Sequence, residues 1–350
     1  MSTSLNPVEW SGARRASRHP AKVFKGYKGV VSVAYFPDGR RIACALNNRT
    51  LIICDVKSGR QDGMPLDHSG EIECIAISPD GRRIASAVGE ARVVVWNVQT
   101  REVVHEIEGG AEELAYSPDG CWIAIVSIAS GGMEMLLWDT DAGKLGREPL
   151  KCDNSVFCMA FSPDDGSRIA AGFEGGCFQV IDIATGESVL GPIKGHTNDV
   201  TSIVYSPDGR LLVTGSTSSD RSIRVWDSKT GVQVGRPMLG HEWQYTAGWI
   251  SITADGRRIA SGGWDKTVRV WDLETRLQVG DSFNVEDQVH CAAFSPDGRY
   301  LVGGGNRRLY LFDTESFAIQ GPISRSFSNL FDPRSADSTA GIPPRSLSVL

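Results

Sequence analysis

The sequence predicts an all-β fold, a seven-bladed β-propeller in which each blade is a sheet of four antiparallel strands. Two recurring features predict it. A turn of the Pro-Asp-Gly type occurs seven times, and about sixteen residues after each turn an apolar residue is followed by Asp or Asn. Repeats with a fixed period of about 40 to 45 residues are typical of propellers, because one such unit is a small sheet that cannot bury its faces alone.

These two features mark the units one after another along the chain. The turn glycines are Gly39, Gly81, Gly120, Gly166, Gly209, Gly256 and Gly298. The closing pairs are Cys54-Asp55, Trp96-Asn97, Trp138-Asp139, Ile181-Asp182, Trp226-Asp227, Trp271-Asp272 and Phe312-Asp313. The resulting units span residues 26–66, 67–107, 108–150, 151–193, 194–239, 240–283 and 284–323.

The sixth unit shows its strands most clearly. Residues 250–252, 258–261 and 267–271 alternate with the period-two pattern of strands, and residues 277–279 supply a fourth strand. The turn that contains Gly256 joins the first two strands as a hairpin, since glycine takes the left-handed conformation at no steric cost. The same pattern in the other units predicts four strands in each of them.

Composition limits the classes of function. The chain has 350 residues and a net charge of −6, so its overall field does not favour a nucleic acid, and such a partner is not expected. The eight cysteines and six histidines lack the short spacings of a zinc site, which predicts no metal and no cofactor. No run reaches the roughly eighteen apolar residues of a membrane span. We therefore expect a cytoplasmic protein, with a nuclear location left open.

The two ends of the chain lack strand patterning. Residues 1–19 form a basic segment and residues 324–350 a segment rich in Ser and Pro, so both are expected to be disordered tails around a propeller at residues 20–323. Within the first tail, the Arg14-Arg15-Ala16-Ser17 string has the form of a site for a basophilic kinase, which makes Ser17 a possible phosphosite.

The repeated units resemble those of the WD-repeat β-propeller family over residues 20–323, most closely in units five and six. The resemblance implies a buried hydrogen-bonded network in a blade, formed by a His, a Ser or Thr, an Asp and a Trp. In unit six it implies the set His241, Ser261, Asp265 and Trp271. In unit five it implies His196, Thr214, Asp220 and Trp226. Such a chain of donors and acceptors satisfies a buried indole and imidazole.

Other units depart from this pattern. Unit one has Cys44, Asn48 and Cys54 in the Ser, Asp and Trp places, and unit four has Gly175 and Ile181 in the last two. Unit two keeps His68, Ser86 and Trp96 but has Glu90 in the Asp place. A catalytic Ser-His-Asp set is present by residue type in unit six, yet a near copy in unit five favours a structural role, and no catalytic residue is expected.

The closure of the ring has two possible solutions. A propeller of this family joins its ends in one blade, which removes exposed sheet edges. Residues 21–25 and residues 317–323 both match an outer strand, and only one of them can occupy the place. We favour the N-terminal segment, paired in the seventh blade.

The candidate binding residues lie in loops on one face of the ring, because the strands themselves are used to build it. Unit six has Trp243 and Tyr245 in one loop and Trp264 in another, and exposed aromatic residues are common anchors of interfaces. Arg49 and Arg308 of units one and seven could form a basic flank. Each Trp could equally pack into a neighbouring blade, and Trp249 is expected to be structural because it falls inside a strand.

The expected function is therefore a non-enzymatic scaffold, a monomeric propeller within a complex, that binds a protein or peptide partner. An alternative is a sensor array related to a larger nucleotide-binding signalling protein, although the chain contains no Gly-x4-Gly-Lys-Ser/Thr string. A second alternative is a propeller that accompanies a hydrolase, although no Gly-x-Ser-x-Gly turn is present.

Overall fold

The computed structural model describes residues 20–25, 29–89, 92–129, 132–152, 154–217, 219–241 and 246–314. Within these ranges the chain forms 29 β-strands and no α-helix. The first fourteen strands are β1 (Lys22–Lys25), β2 (Val30–Tyr35), β3 (Arg41–Leu46), β4 (Thr50–Asp55), β5 (Leu66–Asp67), β6 (Ile72–Ile77), β7 (Arg83–Val88), β8 (Arg92–Asn97), β9 (Val103–Glu108), β10 (Glu113–Tyr116), β11 (Trp122–Ala129), β12 (Gly132–Asp139), β13 (Lys144–Leu145) and β14 (Leu150–Cys152). The others are β15 (Val156–Phe161), β16 (Arg168–Phe173), β17 (Cys177–Asp182), β18 (Ser188–Lys194), β19 (Val200–Tyr205), β20 (Leu211–Ser216), β21 (Ser222–Asp227), β22 (Met238–Leu239), β23 (Thr246–Ile252), β24 (Arg258–Gly263), β25 (Thr267–Asp272), β26 (Phe283–Asn284), β27 (Val289–Phe294), β28 (Tyr300–Gly305) and β29 (Arg308–Asp313).

The strands form seven antiparallel sheets, which confirms the predicted propeller of seven blades. Blade one is β2-β3-β4-β5, blade two β6-β7-β8-β9, blade four β15-β16-β17-β18, blade five β19-β20-β21-β22 and blade six β23-β24-β25-β26. In blade three, β10-β11-β12 is followed by two short strands, β13 and β14, which both pair with β12. Blade seven is β27-β28-β29-β1.

The N-terminal strand closes the ring. Strand β1 pairs antiparallel with β29, in a register that runs from Lys22 opposite Leu311 to Lys25 opposite Arg308. This confirms the favoured solution, whereas residues 317–323, the competing outer strand, lie outside the described residues. The first strands of neighbouring blades contact one another all the way round, and β27 of blade seven meets β2 of blade one. The fourth place of the last blade is thus filled from the other end of the chain.

The alternation of strands gives the ring two distinct ends. All Pro-Asp-Gly type turns join first to second strands, so they lie at one end, together with the connections from third to fourth strands; we call this end the lower face. The turns between second and third strands and the connections from one blade to the next lie at the other end, the upper face. Functional loops predicted from the sequence belong to the upper face.

The lower-face turns repeat one set of hydrogen bonds. In blade two the Ser78 hydroxyl donates to the Asp80 carboxylate at 2.6 Å, and the same carboxylate accepts from the backbone N–H of Arg82 at 3.0 Å. Gly81 has a φ of 69°, which residues with a side chain rarely adopt. The next arginine extends to the neighbouring blade, where the Arg83 guanidinium donates to the carbonyl of Thr140 at 3.0 Å. The recurrent turn therefore shapes a hairpin and also connects adjacent blades.

The core lies between blades, where facing sheets bury apolar side chains. Cys44, Cys54, Cys74, Cys158 and Cys291 are buried there, whereas Cys121 is exposed and Cys152 and Cys177 are half-buried. Hydroxyl groups connect successive first strands: the Ser202 hydroxyl accepts from the backbone N–H of Ile250 at 3.0 Å, and that of Ser251 accepts from Phe294 at 3.0 Å. Packing and these polar bridges together fix the blades around the axis.

The first strands line a central channel with a regular pattern. A small residue three positions before the turn proline, or its equivalent, is half-buried in every blade: Ala34, Ala76, Ala115, Ala160, Val204, Ser251 and Ala293. In blade one a β-bulge between Val30 and Ser32 turns the intervening Val31 toward the axis, and comparable irregularities occur in five other blades. The middle of the channel is therefore lined mainly by small residues, and the bulges lie toward its upper mouth.

Candidate functional site

Blade six contains the complete polar network that the resemblance implied. The indole N–H of Trp271 donates to the Ser261 hydroxyl at 2.9 Å, and that hydroxyl lies 2.8 Å from Nε2 of His241. The Nδ1 of His241 lies 2.9 Å from the Asp265 carboxylate. Only one arrangement of hydrogens satisfies every group: the hydroxyl donates to Nε2, and Nδ1 carries the proton that faces Asp265.

Blade five repeats the network with a threonine. Trp226 donates to the Thr214 hydroxyl at 2.8 Å, the hydroxyl lies 2.7 Å from Nε2 of His196, and Nδ1 of His196 lies 2.9 Å from Asp220. Burial lowers the pKa of His196 and outweighs the hydrogen bond with Asp220, so this imidazole is held neutral. Burial opposes ionisation of Asp220, but hydrogen bonds from His196, Ser222 and the Thr197 backbone hold its pKa well below the usual range.

The carboxyl group of the blade-six network likewise has a lowered pKa. Burial opposes the ionisation of Asp265, and the stronger opposing effect of hydrogen bonds from His241 and Thr267 lowers the pKa of this carboxyl. The Ser261 side chain is fully buried and His241 is only 6% exposed, so a substrate cannot reach the Ser-His-Asp set. The network is therefore a structural connection between strands and loops rather than a catalytic triad.

The remaining blades show what is lost when a member is missing. In blade two, Trp96 donates directly to Nε2 of His68 at 3.0 Å, and Nδ1 of His68 turns to the carbonyl of Leu66 at 3.1 Å. Glu90, in the Asp place, lies outside the described residues. In blade three the buried indole nitrogen of Trp138 has no hydrogen-bond partner among the described residues. The gap follows from the sequence, which has Gly109-Gly110 where blades five and six have Gly-His.

The predicted binding residues that the structure describes all lie at the upper face, on different blades. Trp264, in the turn between β24 and β25, is half-buried, and its ring meets that of His290 of blade seven edge to face, with 5.9 Å between centroids. The Arg308 guanidinium forms an ion pair with Glu286, and Arg49 extends to the carbonyl of Ser69 at 3.4 Å. Trp243, Tyr245 and Ser17 lie outside the described residues. The two arginines therefore contact their own blade or the next one rather than Trp264.

The residues at the upper mouth of the channel were not predicted from the sequence. They stand six positions before the turn proline, at the β-bulge, and none of them is buried: Val31, Glu73, Glu112, Phe157, Thr201 and His290. Phe157 is 40% exposed. Trp249 belongs to strand β23, as predicted, but is 36% exposed, so strand membership did not make it a core residue. Counting back from each turn would have found this row.

Carboxylates crowd one side of this mouth, on blades two and three. Burial, with the nearby carboxylates of Glu112 and Glu71, raises the pKa of Glu73. Glu113 occupies the inter-blade place that is held by Cys74, Cys158 and Ser202 in other blades, and burial raises its pKa to about 8. Aromatic residues of blades four, six and seven form the other side. The upper mouth thus has acidic residues on one side and aromatic residues on the other.

The described residues contain no group of three or more His, Cys, Asp or Glu side chains placed to hold a metal ion. No helix among them is long and apolar enough to cross a membrane.

The family model described as "WD domain, G-beta repeat" matches residues 18–55, 64–97, 187–227, 238–272 and 280–313, which together make up just over half of the chain. The matched segments include both complete networks and the β1 segment that closes the ring.

Curated relatives extend the likeness over longer stretches. "WD repeat-containing protein SL1-17" of Schistosoma mansoni is 35% identical over 218 residues, which cover 61% of this chain and 69% of the relative. A "Guanine nucleotide-binding protein subunit beta" of Nicotiana plumbaginifolia is 29% identical over 275 residues, with 71% and 70% covered. "WD repeat and SOCS box-containing protein 1" of Danio rerio is 30% identical over 152 residues, and the match spans only 25% of that protein's length.

Proposed function

The chain belongs to the WD-repeat family, and we propose that it is a non-enzymatic scaffold that binds a protein or peptide partner at its upper face. The observation that carries the proposal is the combination of exposed aromatic and acidic residues at the upper mouth of the channel. Phe157 and Trp249 are 40% and 36% exposed although they lie in the innermost strands, where the other large apolar side chains that the structure describes are buried or half-buried. Large, rigid aromatic side chains held by a scaffold are favoured anchors of interfaces.

Trp264 extends this surface outward. Its contact with His290 fixes one edge of the indole and leaves part of the ring accessible. An anchor that is already ordered loses little conformational entropy on binding, so it contributes more to affinity than a mobile loop residue. The proposal keeps Trp243 and Tyr245, which lie outside the described residues, as candidate contacts, with Arg308 and Arg49 at the margin of the surface.

The lower face offers a poorer alternative. Its connections from third to fourth strands expose the apolar residues Met64, Val232 and Leu277, one to a blade. Single exposed apolar residues are normal on a soluble surface and do not indicate an interface. Most of the repeated Asp and Arg residues of the lower face form hydrogen bonds within their own turns.

The likeness to proteins named as subunits supports a place in a larger assembly. The beta subunit of a guanine nucleotide-binding protein matches over 71% of this chain, and "COMPASS component SWD1" of Saccharomyces cerevisiae matches over 25% of it. We infer that this chain is one propeller within a signalling or regulatory complex. Its cytoplasmic location, with the nucleus as the alternative, is part of the proposal and is tested by fluorescent tagging at either end.

Affinity capture from the native cell extract tests the binding face. Wild type is compared with a Phe157→Ala, Trp264→Ala double variant and with a Val232→Ala, Leu277→Ala control, which removes exposed apolar residues from the lower face. We expect wild type and control to retain a protein that the upper-face variant loses. Identical captured sets from all three would overturn the choice of face.

A further inference from the structure

Blade two carries a cavity of about 630 Å³ at its upper end. The blade-two cavity lies between the connection that enters the blade (Ser69, Gly70), the residue that follows β7 (Gly89), the start of β8 (Arg92) and the end of β9 (Glu106, Glu108). In blade five the corresponding loops are held together: the Asp220 carboxylate accepts from the backbone N–H of Thr197 at 2.8 Å, in addition to its contact with His196. In blade two, Nδ1 of His68 lies instead 3.1 Å from the carbonyl of Leu66, in the strand β5 that precedes it.

One wall of the cavity is held rigidly by Arg92. Its Nη1 donates to the Glu106 carboxylate at 2.8 Å, and its Nη2 donates to the Ser69 hydroxyl at 2.6 Å. Blades five and six have a small hydroxyl residue at this place, Ser222 and Thr267. Because Glu106 compensates the guanidinium, Arg92 adds shape and orientation to the cavity but little uncompensated charge.

The floor of the cavity is apolar and its rim is open. Val88 and Ile107 line it and are 2% and 3% exposed, so they belong to the core and form a firm surface. A Cβ at Gly89 would meet no heavy atom within 4 Å, which shows free space above this turn. An extended aliphatic chain could therefore lie in the cavity without displacing protein atoms.

The charge around the rim is negative. Glu108, opposite Arg92 in the strand register, is exposed and forms no hydrogen bond or ion pair with another described residue. The connection from Gly70 leads directly to Glu71 and Glu73, and the raised pKa of Glu73 reflects its burial together with the proximity of Glu112 and Glu71. The positive charges nearby are Arg92, which is paired with Glu106, and Arg49, whose guanidinium donates to the carbonyl of Ser69. The excess favours a cation.

We propose that the blade-two cavity binds a lysine or arginine side chain of the partner peptide, with the aliphatic stem on Val88 and Ile107 and the charged head beside Glu108. Lysine and arginine combine these two properties, since their stems bury against apolar surface while the charge stays near carboxylates. Further basic residues of the same peptide then lie along Glu71, Glu73 and Glu112 toward the channel. This inference rests on the proposed function and specifies the chemistry of the partner.

The test measures binding of a fluorescein-labelled peptide, Gly-Ala-Lys-Ala-Arg-Ala-Gly, and of its counterpart with Glu at both basic positions, by fluorescence anisotropy at low salt. Wild type is compared with Glu108→Lys, Glu108→Gln and the control Glu102→Lys, which makes the same charge change at the opposite end of strand β9. We expect the basic peptide to bind about tenfold more weakly to Glu108→Lys, about threefold more weakly to Glu108→Gln, and within twofold of wild type to Glu102→Lys.

Equal losses for Glu108→Lys and Glu102→Lys would show a non-specific charge effect and overturn the proposal, as would tighter binding of the acidic peptide. Thermal melts of each variant confirm that the fold is kept, and the mild Glu108→Gln change keeps the test decisive if the lysine variant does not fold. The proposed function fails separately, if the aromatic double variant captures the same proteins as wild type.

Discussion

Trp264 of blade six and His290 of blade seven meet edge to face across the boundary between their blades, with ring centroids 5.9 Å apart and planes inclined by 74°. One residue lies in an upper-face turn and the other at the channel mouth, so the contact joins the loop surface to the channel lining. The contact makes Trp264 an ordered part of the upper face. Removal of this side chain should therefore lower both the free energy of unfolding and the affinity for a partner.

The Trp264–His290 contact predicts a modest coupling energy. Trp264→Ala should lower the free energy of unfolding by about 1 kcal/mol, because the ring is only half-buried, whereas Trp271→Ala should cost about 3–5 kcal/mol because it empties a buried site. A double-mutant cycle with His290→Ala, measured by urea unfolding, should give about 0.5–1 kcal/mol of coupling. A loss at Trp264 as large as that at Trp271 would contradict an interface role and make Trp264 a core residue.

The buried network of blade six predicts a specific effect of charge removal. Asp265→Asn should lower the free energy of unfolding by about 1–3 kcal/mol, since the amide cannot replace the carboxylate that accepts from His241 and Thr267. The depressed pKa of Asp265 means that this contribution is present above the ordinary carboxyl pKa and is lost as the pH falls through the folded-state value. The difference between wild type and variant should therefore shrink in strong acid.

Asp141→Asn provides the control for that experiment. Asp141 lies in an exposed lower-face turn of blade three, and its neutralisation changes net charge by the same amount. Its effect should stay within about 0.5 kcal/mol. If both substitutions cost the same, the hydrogen-bonded network contributes nothing beyond overall charge.

The repeat itself explains which parts of the molecule were predictable. The turn sequence fixes a hairpin, so the fold could be predicted from local residues. Both networks were implied by the resemblance to the WD-repeat family, and their His, Ser or Thr, Asp and Trp side chains have few ways to satisfy one another. The exposure of Phe157 and Trp249 could not be predicted from the repeat. It depends on the closed ring, which leaves the inner edge of every first strand facing a channel and no partner strand. Likewise, the cavity of blade two is a property of three loops that no single motif encodes.

Removal of the closing strand should weaken the whole ring. Deletion of residues 1–25 leaves β29 as an open edge and uncovers the apolar residues of blade seven that Phe24 helps to cover. We expect a lower urea midpoint and a broader transition, with blade seven exchanging its amide hydrogens first. Deletion of residues 1–19, which keeps β1, is the control and should unfold like wild type.

The same deletion tests the competing solution for the seventh blade. If loss of residues 1–25 leaves the unfolding midpoint unchanged, another segment must replace β1, and residues 317–323 match the pattern of an outer strand. A chain lacking both segments would then be destabilised where either single deletion is not. Additive effects of the two deletions would contradict replacement.

The buried carboxyl of Glu113 predicts that its substitution by Gln raises the free energy of unfolding by an amount that depends on pH. Burial raises the pKa of this carboxyl from its ordinary value of about 4.5 to about 8, so between these values the folded protein holds a proton that the unfolded chain has released. Its contribution to stability therefore falls as the pH rises through that window and is least favourable above pH 8. Glu113→Gln removes the charge and should be more stable than wild type at pH 9 by about 1–3 kcal/mol, with little difference at pH 4.

Urea unfolding at pH 4, 6 and 9 measures this pH dependence, and Glu174→Gln, at an exposed position of blade four, should show no such dependence. A constant difference at all three pH values would mean that Glu113 acts through packing between Cys74 and Cys158 rather than through ionisation.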